Sequence, residues 1–295
     1  MEIKTDAIVL RAADYKDTDK ILTLLTPSAG KLAAGIRGVK KSGAKLAFAA
    51  QPFAFCEYVL TEKGGRRTVT SAYLHDGFFP LRTNITRYYA ACVVAEIADE
   101  LSAEGAENES LFIAAAQALR SLAYAEETES PAEIVSAFLL TALFESGYMI
   151  DLDGCGVCGR ELAGNSVCYF DFSGGRFLCA GCGAAAGGAG GNLVRASVKT
   201  YEFLRKISGI SCENTPKNAD FSPNFFEKTL KIEEKTGKIE EKTGKTEEKQ
   251  GKNDAELRAL RLLKTYLSNK TEREYPCFTE FYRLYRDDFK EDFRE

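Results

Sequence analysis

Histidine is almost missing from this chain of 295 residues: His75 is the only one. There is also no run of 18 or more apolar residues, the length that marks a membrane-spanning helix. The first residues carry Lys4, Asp6, Arg11 and Asp14 where a secretory signal needs an unbroken apolar core. These absences argue against a membrane protein and an exported one. They set the expectation of a cytoplasmic protein with reduced cysteines. Around the single histidine no Ser, His and Asp set stands out, and no carboxylate pair does so elsewhere. One glycine is missing where an enzyme would need it. In Gly35-Ile-Arg-Gly-Val-Lys40-Lys41-Ser42 a lysine stands where a P-loop must bring its backbone close to phosphate. Strand and proline signals follow, where a P-loop would lead into a helix. No nucleotide hydrolysis and no enzyme are expected.

Cysteine, by contrast, is patterned. Cys155-Gly-Val-Cys158 and Cys179-Ala-Gly-Cys182 are two C-x-x-C pairs at the spacing of a four-cysteine zinc site. Glycines inside or after each pair (Gly156, Gly159, Gly181, Gly183) allow the tight corners such pairs need. Between them, Val167 to Phe172 and Arg176 to Leu178 flank Ser173-Gly-Gly and read as a hairpin. Four thiolates close the coordination sphere and leave no place for water or substrate, so the expected zinc is structural. A zinc enzyme would need an exchangeable ligand. Cys56, Cys92, Cys168, Cys212 and Cys277 follow no pattern and read as small apolar residues.

The hydrophobic fraction of 45% is that of a globular protein, and the net charge is −4. The charge is segregated. From Lys31 to Arg67 there are eight basic residues against two acids, and from Glu96 to Glu133 Arg120 stands alone against ten acids. The fold class expected is α+β: an N-terminal OB-fold β-barrel, an α-helical domain and an embedded four-cysteine zinc module. Ile3 to Leu10, Ile21 to Thr26, Lys31 to Arg37, Phe53 to Thr61 and Arg67 to Leu74 read as five strands separated by turn signals. An OB-fold suits residues 1–80, with an SH3-like barrel as the alternative. Helices are expected from Asn84 to Ala103, from Leu111 to Tyr124 behind an Asn108 cap, and from a Ser130-Pro-Ala-Glu133 capping box to Gly147. They form a bundle over 81–150, followed by the zinc module over 151–191.

Helices over 192–295 complete the helical domain. Ser197 caps one through Ile207, Asp254 restarts another, and an aromatic helix from Phe278 to Phe289 closes the chain. Within this part, 212–253 reads as a flexible charged insertion. Its tandem Lys231-Ile-Glu-Glu-Lys-Thr-Gly heptads end in glycine and carry at most one apolar residue, so no coiled-coil seam exists. For binding, Arg37, Lys40, Lys41 and Lys45 cluster in one barrel loop, and Arg66 and Arg67 lie in another. Basic barrel loops track phosphates and nearby aromatics stack bases, for which Phe48, Phe53, Phe55 and Tyr58 are candidates. Plain solvated surface is the alternative.

Thr5-Asp-Ala-Ile-Val-Leu-Arg11, Asp17-Thr-Asp-Lys-Ile-Leu-Thr-Leu-Leu-Thr26 and Gly30-Lys-Leu resemble the RecO family of DNA repair and recombination proteins. So do Gly35 to Lys41, Gln51-Pro-Phe53, Leu81-Arg82, Tyr88 to Glu96, Phe138 through Gly159, Gly174-Gly175 and the second cysteine pair. The resemblance runs in order over residues 1 to about 207. It implies binding of single- and double-stranded DNA, annealing of complementary strands, and loading of the RecA recombinase together with RecR, in the RecF pathway. It also implies contact with the acidic C-terminal tail of the single-stranded DNA-binding protein, and a place at the nucleoid. The family's basic barrel loop maps onto Arg37, Lys40 and Lys41, and Arg82 and Arg87 are further phosphate contacts to expect. The chain departs from the family in its heptad insertion and in Thr271-Glu-Arg-Glu-Tyr-Pro-Cys277, where the family carries a basic stretch. A different class of function, a scaffold whose acidic helices bind protein partners, is the alternative.

Overall fold

In a computed structural model of the chain, the structure describes residues 2–124, 130–164, 167–187, 192–213 and 245–291. The first strand, β1 (Glu2–Tyr15), sets the N-terminal architecture because it is long enough to serve two partners. Its first half pairs with β4 (Phe55–Lys63), from Glu2 opposite Thr61 to Ile8 opposite Phe55. Its second half pairs with β2 (Asp19–Thr26), from Ile8 opposite Leu25 to Tyr15 opposite Asp19, with a bulge at Leu10. A bulge sharpens the twist and lets a strand turn a barrel corner. With β3 (Gly30–Ile36) and β5 (Arg66–Asp76) the sheet closes in the order β1-β2-β3-β5-β4, and β3 meets β5 in parallel at Gly35 and Thr68. This is an OB-like order; the SH3-like alternative is set aside.

Why β1 reads as a continuous apolar run follows from its surroundings. Ala7 and Val9 point into the barrel core with Leu22, Leu24, Leu32, Tyr58 and Leu60. Ile8 and Leu10 point outward into a second core shared with the helices. Both faces are buried, so the usual alternation of polar and apolar residues vanishes. A 3-10 turn, Phe48–Ala50, lays Ala49 and Ala50 against the barrel core. The buried Tyr58 hydroxyl holds it by donating to the Ala49 carbonyl at 2.6 Å.

The helices begin where their caps lie. Asn84 accepts from Arg87 N–H at 2.9 Å and opens α1 (Ile85–Leu101). Asn108 accepts from Leu111 N–H at 2.9 Å at the start of α2 (Glu109–Tyr124). Ser130 accepts from Glu133 N–H at 3.4 Å, with Pro131 at the first position of α3 (Pro131–Glu145). A three-stranded sheet follows, β6 (Val167–Asp171), β7 (Arg176–Cys179) and β8 (Leu193–Ser197) in the order β7-β6-β8. A short α4 (Ala180–Ala186) leaves β7, and α5 (Val198–Glu213) leaves β8. The last two helices are α6 (Lys245–Thr271) and α7 (Pro276–Glu291). The Glu96 carboxylate in α1 accepts the Cys277 and Phe278 N–H groups, both at 3.3 Å, and so caps α7 across the bundle. Among the described residues no helix is long and apolar enough to cross a membrane.

Two differences from the sequence expectation concern the C-terminal half. Of the insertion expected over 212–253, residues 214–244 lie outside the described residues. Residues 245–253 are helical, so α6 starts nine residues before the expected restart at Asp254. Glutamate and lysine are good helix formers, and extending an existing helix costs far less than nucleating one. Leu193–Ser197 is a strand, where only a helix cap at Ser197 was expected.

The outward core joins barrel to bundle through Phe55, which is fully buried with its ring 5.9 Å from Phe112 and 4.7 Å from His75. Phe55→Ala is expected to destabilise the protein by about 3–5 kcal/mol, read as a lower urea midpoint. A loss below about 1 kcal/mol would mean that the barrel does not depend on this junction.

Candidate metal centre and nucleic-acid interface

The first cysteine corner is built from the backbone. Cys155 N–H donates to Arg160 O at 2.9 Å, and Gly159 N–H donates back to Cys155 O at 2.8 Å. Gly154 has φ +111°, and a Cβ there would sit 2.9 Å from Arg160 O, so the corner requires glycine. Gly156 N–H donates to Phe177 O at 2.9 Å and ties the corner to β7. The second corner forms where β7 ends: Cys179 precedes α4, and Cys182 lies in that helix's first turn. Gly183 beside it faces the Tyr169 ring, with which any Cβ would collide.

The four Sγ atoms of Cys155, Cys158, Cys179 and Cys182 lie within 4.8 Å of one another. Cys158 and Cys179 are 3.8 Å apart. Tetrahedral coordination with bonds of about 2.3 Å puts sulfurs about 3.8 Å apart, so the donor set fits a zinc-sized thiophilic cation. The protonation pattern fits as well. Burial opposes ionisation of Cys155, yet the N–H groups of Cys158, Cys179 and Val157 outweigh it and bring the thiol down to about 6. The N–H of Cys182 lowers Cys179. Cys182 moves the other way, up to about 12, because its thiol is hydrogen-bonded to Cys179 and Cys158. Four sulfurs this close do not all ionise unless a cation offsets their repulsion. These four cysteines could hold a metal. Of the remaining cysteines, Cys56 and Cys168 are buried core residues, each pushed up to about 11 by burial.

The expected basic loop leaves β3 into turns and bends, without the helix a P-loop needs. Arg37, Lys40, Lys41 and Lys45 are exposed there. The β1–β2 turn packs against this loop: Lys40 N–H donates to Thr18 O at 3.0 Å, and Gly38 N–H to Asp19 Oδ1 at 2.8 Å. Gly38 takes φ +64° to make that approach. Asp14 receives the Lys40 ammonium at 2.7 Å and that of Lys20 at 3.7 Å, and Lys40 is the main cause that holds its carboxyl below the usual range. Three functional candidates therefore escaped sequence reasoning. Lys16 and Lys20 belong to the same cluster, and Tyr15, 46% exposed, offers a ring beneath the Lys16 ammonium at 5.3 Å. The signal lay in hairpin register, since Lys20 pairs with Ile36, the neighbour of Arg37.

The other predicted contacts sit elsewhere. Arg66 is exposed opposite Lys63. Arg67 is paired with Glu104 at 2.9 Å and Glu62 at 3.6 Å. Arg82 donates to the carbonyls of Gly77 at 3.1 Å and Pro52 at 3.4 Å and covers the Phe79 ring. Arg87 donates to Leu122 O at 3.1 Å, near the end of α2. Of the aromatics expected to stack bases, Phe53 and Phe55 are buried in the outward core and Tyr58 in the barrel core, and Phe48 packs half-buried against the barrel core. Tyr15 and the 64% exposed Tyr73 present rings to solvent instead. The acidic stretch also finds internal partners: Lys31 pairs with Asp99 at 3.0 Å and Arg273 with Glu100 at 2.9 Å.

Comparison with known proteins adds a sequence-wide signal. Residues 1–78 match the family described as Recombination protein O N terminal, and residues 82–234 match Recombination protein O C terminal. The chain is 31% identical to the DNA repair protein RecO of Moorella thermoacetica over 206 residues, 70% of this chain and 75% of the relative. It is 35% identical to that of Pelotomaculum thermopropionicum over 205 residues, covering 69% and 76%. With that of Desulforamulus reducens the identity is 34% over 179 residues, covering 61% and 68%.

Proposed function

The chain belongs to the recombination protein O family, whose role is in DNA repair and recombination, and from that premise we propose that it is a non-catalytic DNA-binding mediator. It binds single- and double-stranded DNA through the barrel, anneals complementary strands, and assists RecA loading together with RecR. The acidic tail of the single-stranded DNA-binding protein is a further partner. One observation carries the reading: in the OB-like barrel the β3–β4 loop and the β1–β2 turn gather six basic residues against three acids. Arg37, Lys40, Lys41 and Lys45 supply phosphate contacts there, with Lys16 and Lys20. Arg66, Arg67, Arg82 and Arg87 are the further phosphate contacts of this reading. The units expected from the sequence, a barrel, a helical domain and a zinc module, are part of this proposal.

Cys155, Cys158, Cys179 and Cys182 would hold zinc, which when bound supplies folding stability to the β6–β8 sheet. The chain's own chemistry is electrostatic. Lysines and arginines that replace condensed counterions lower the repulsion between two phosphate chains, and the gain shrinks as salt rises. Annealing of two complementary fluorescent oligonucleotides should therefore accelerate at low salt and lose that acceleration at high salt. A folded, metal-loaded protein that leaves the annealing rate unchanged would defeat the proposal. The scaffold alternative draws less support, since Glu96, Asp99, Glu100 and Glu104 are engaged within the fold.

A further inference from the structure

A groove of about 630 Å³ opens between β8 and α6, lined in part by Arg195, Ser197, Thr200, Arg258, Arg261 and Leu262. β8 is an edge strand, so one side of its backbone has no strand partner in that sheet. Arg258, Arg261 and Leu262, three and four residues apart, share one face of α6. Among the described residues no aspartate or glutamate lines the groove. Arg258 is paired with Asp254 one turn earlier. Arg195 and Arg261 are exposed and have no ion pair among the described residues.

The start of α5 opens into the same space. Ser197 ends β8, its hydroxyl accepts from Lys199 N–H at 3.3 Å, and α5 begins at Val198. First-turn N–H groups have no partner within their own helix and carry the positive end of its dipole. A second observation points to a ligand. Thr200 is only 2% exposed, and its hydroxyl has no hydrogen-bond partner among the described residues. A buried hydroxyl without a partner costs folding free energy, which an oxyanion reaching it would offset.

We propose that this groove is a second anion site, which takes a phosphodiester of a nucleic-acid strand. The forked guanidiniums of Arg195 and Arg261 hold the phosphate oxygens, the Thr200 hydroxyl and the first turn of α5 complete the cradle, and Leu262 walls the sugar side. The proposal rests on the DNA reading of the barrel and extends it. One strand lies on the barrel loops and another in the groove, so each partner in annealing is held by a different part of the chain.

The test is a stoichiometric titration of the full metal-loaded chain with a fluorescent strand of about 12 nucleotides, within the span of one barrel site. The wild type should bind two strands. Arg195→Ala with Arg261→Ala should weaken the second site about tenfold or more, slow annealing by a similar factor, and leave the first site unchanged. Thr200→Val should weaken the second site and Thr200→Ser should retain it, which a merely structural role would not require. Two strands bound with unaltered affinity by the double variant would overturn the proposal. So would a variant that keeps both strands but loses binding of an acidic decapeptide, because the groove would then belong to a peptide. Failure of the barrel reading looks different: the wild type would then bind a single strand, held in the groove, and the double variant would lose it.

Discussion

Stripping the metal with a chelator is expected to unfold the β6–β8 sheet and lower the melting temperature by on the order of 10 °C. Strands of five, four and five residues are too short to hold a sheet by pairing alone. The sheet is fastened at one end by the sulfur cluster and at the other by rings. Phe170 lies 4.9 Å from Phe177 and 5.6 Å from Tyr266, and Phe177 lies 5.2 Å from Tyr201. Tyr201 and Tyr266 belong to α5 and α6, so loss of the sheet should spread into both helices. Cys179→Ser should reproduce the effect, because Cys179 joins β7, α4 and the sulfur cluster. The sign with pH follows from the thiols. Cys155 is lowered from 9.0 to about 6, so its contribution is complete above 9.0 and lost as pH falls through 6. Cys182, raised to about 12, must release its proton before it can bind a metal, which further favours binding at higher pH. Metal release monitored with a chromophoric chelator should therefore start at higher free metal at pH 6 than at pH 8. Stoichiometric release with an unchanged melting curve would show that the aromatic cluster holds the sheet unaided.

The four-cysteine cluster was legible because its grammar is local. Two C-x-x-C corners need only a few residues each, and of the glycines read there Gly183 marks a close approach to the Tyr169 ring and Gly156 one to the Arg176 side chain; Gly154, which the first corner requires, lies outside the pattern. Caps were legible for the same reason: Asn108 and Ser130 bond N–H groups three residues away. What failed depended on distant partners. Leu193–Ser197 becomes a strand only because β6 pairs along it, and a seven-residue α4 is shorter than any helix that stands alone. The basic residues show the same limit. Composition marked Lys31 and Arg67 as part of one positive stretch, but the fold brings Asp99 and Glu104 against them. It also brings Lys16 and Lys20 to Arg37 and Lys40 through strand register that no local pattern encodes.

Lys40→Ala with Lys41→Ala is expected to weaken single-stranded DNA binding about tenfold at low salt and to flatten its salt dependence. Removing one phosphate neutralisation on a single strand should reduce the slope of log affinity against log salt by about 0.7, so the pair should remove about 1.4. A variant of opposite sign is available at Asp14. Lys40 is held by Asp14 at 2.7 Å, with Lys20 on the other carboxylate oxygen at 3.7 Å, and this carboxylate stands where a phosphate would otherwise approach. An exposed ion pair of this kind is weak, so DNA can displace Asp14 from Lys40, but part of the attraction is spent on the exchange. Asp14→Asn should raise DNA affinity several-fold and steepen the salt slope, while leaving the Asp19 contact that shapes the loop intact. In the Lys40→Ala background the same Asp14→Asn change should have a smaller effect, because its main partner is gone. Fluorescence anisotropy across a salt series measures each of these proteins. Equal affinity in the wild type and the double lysine variant would remove the loop from the interface. An Asp14→Asn change that weakens binding would show that Asp14 orients Lys40 toward DNA and does not compete with it.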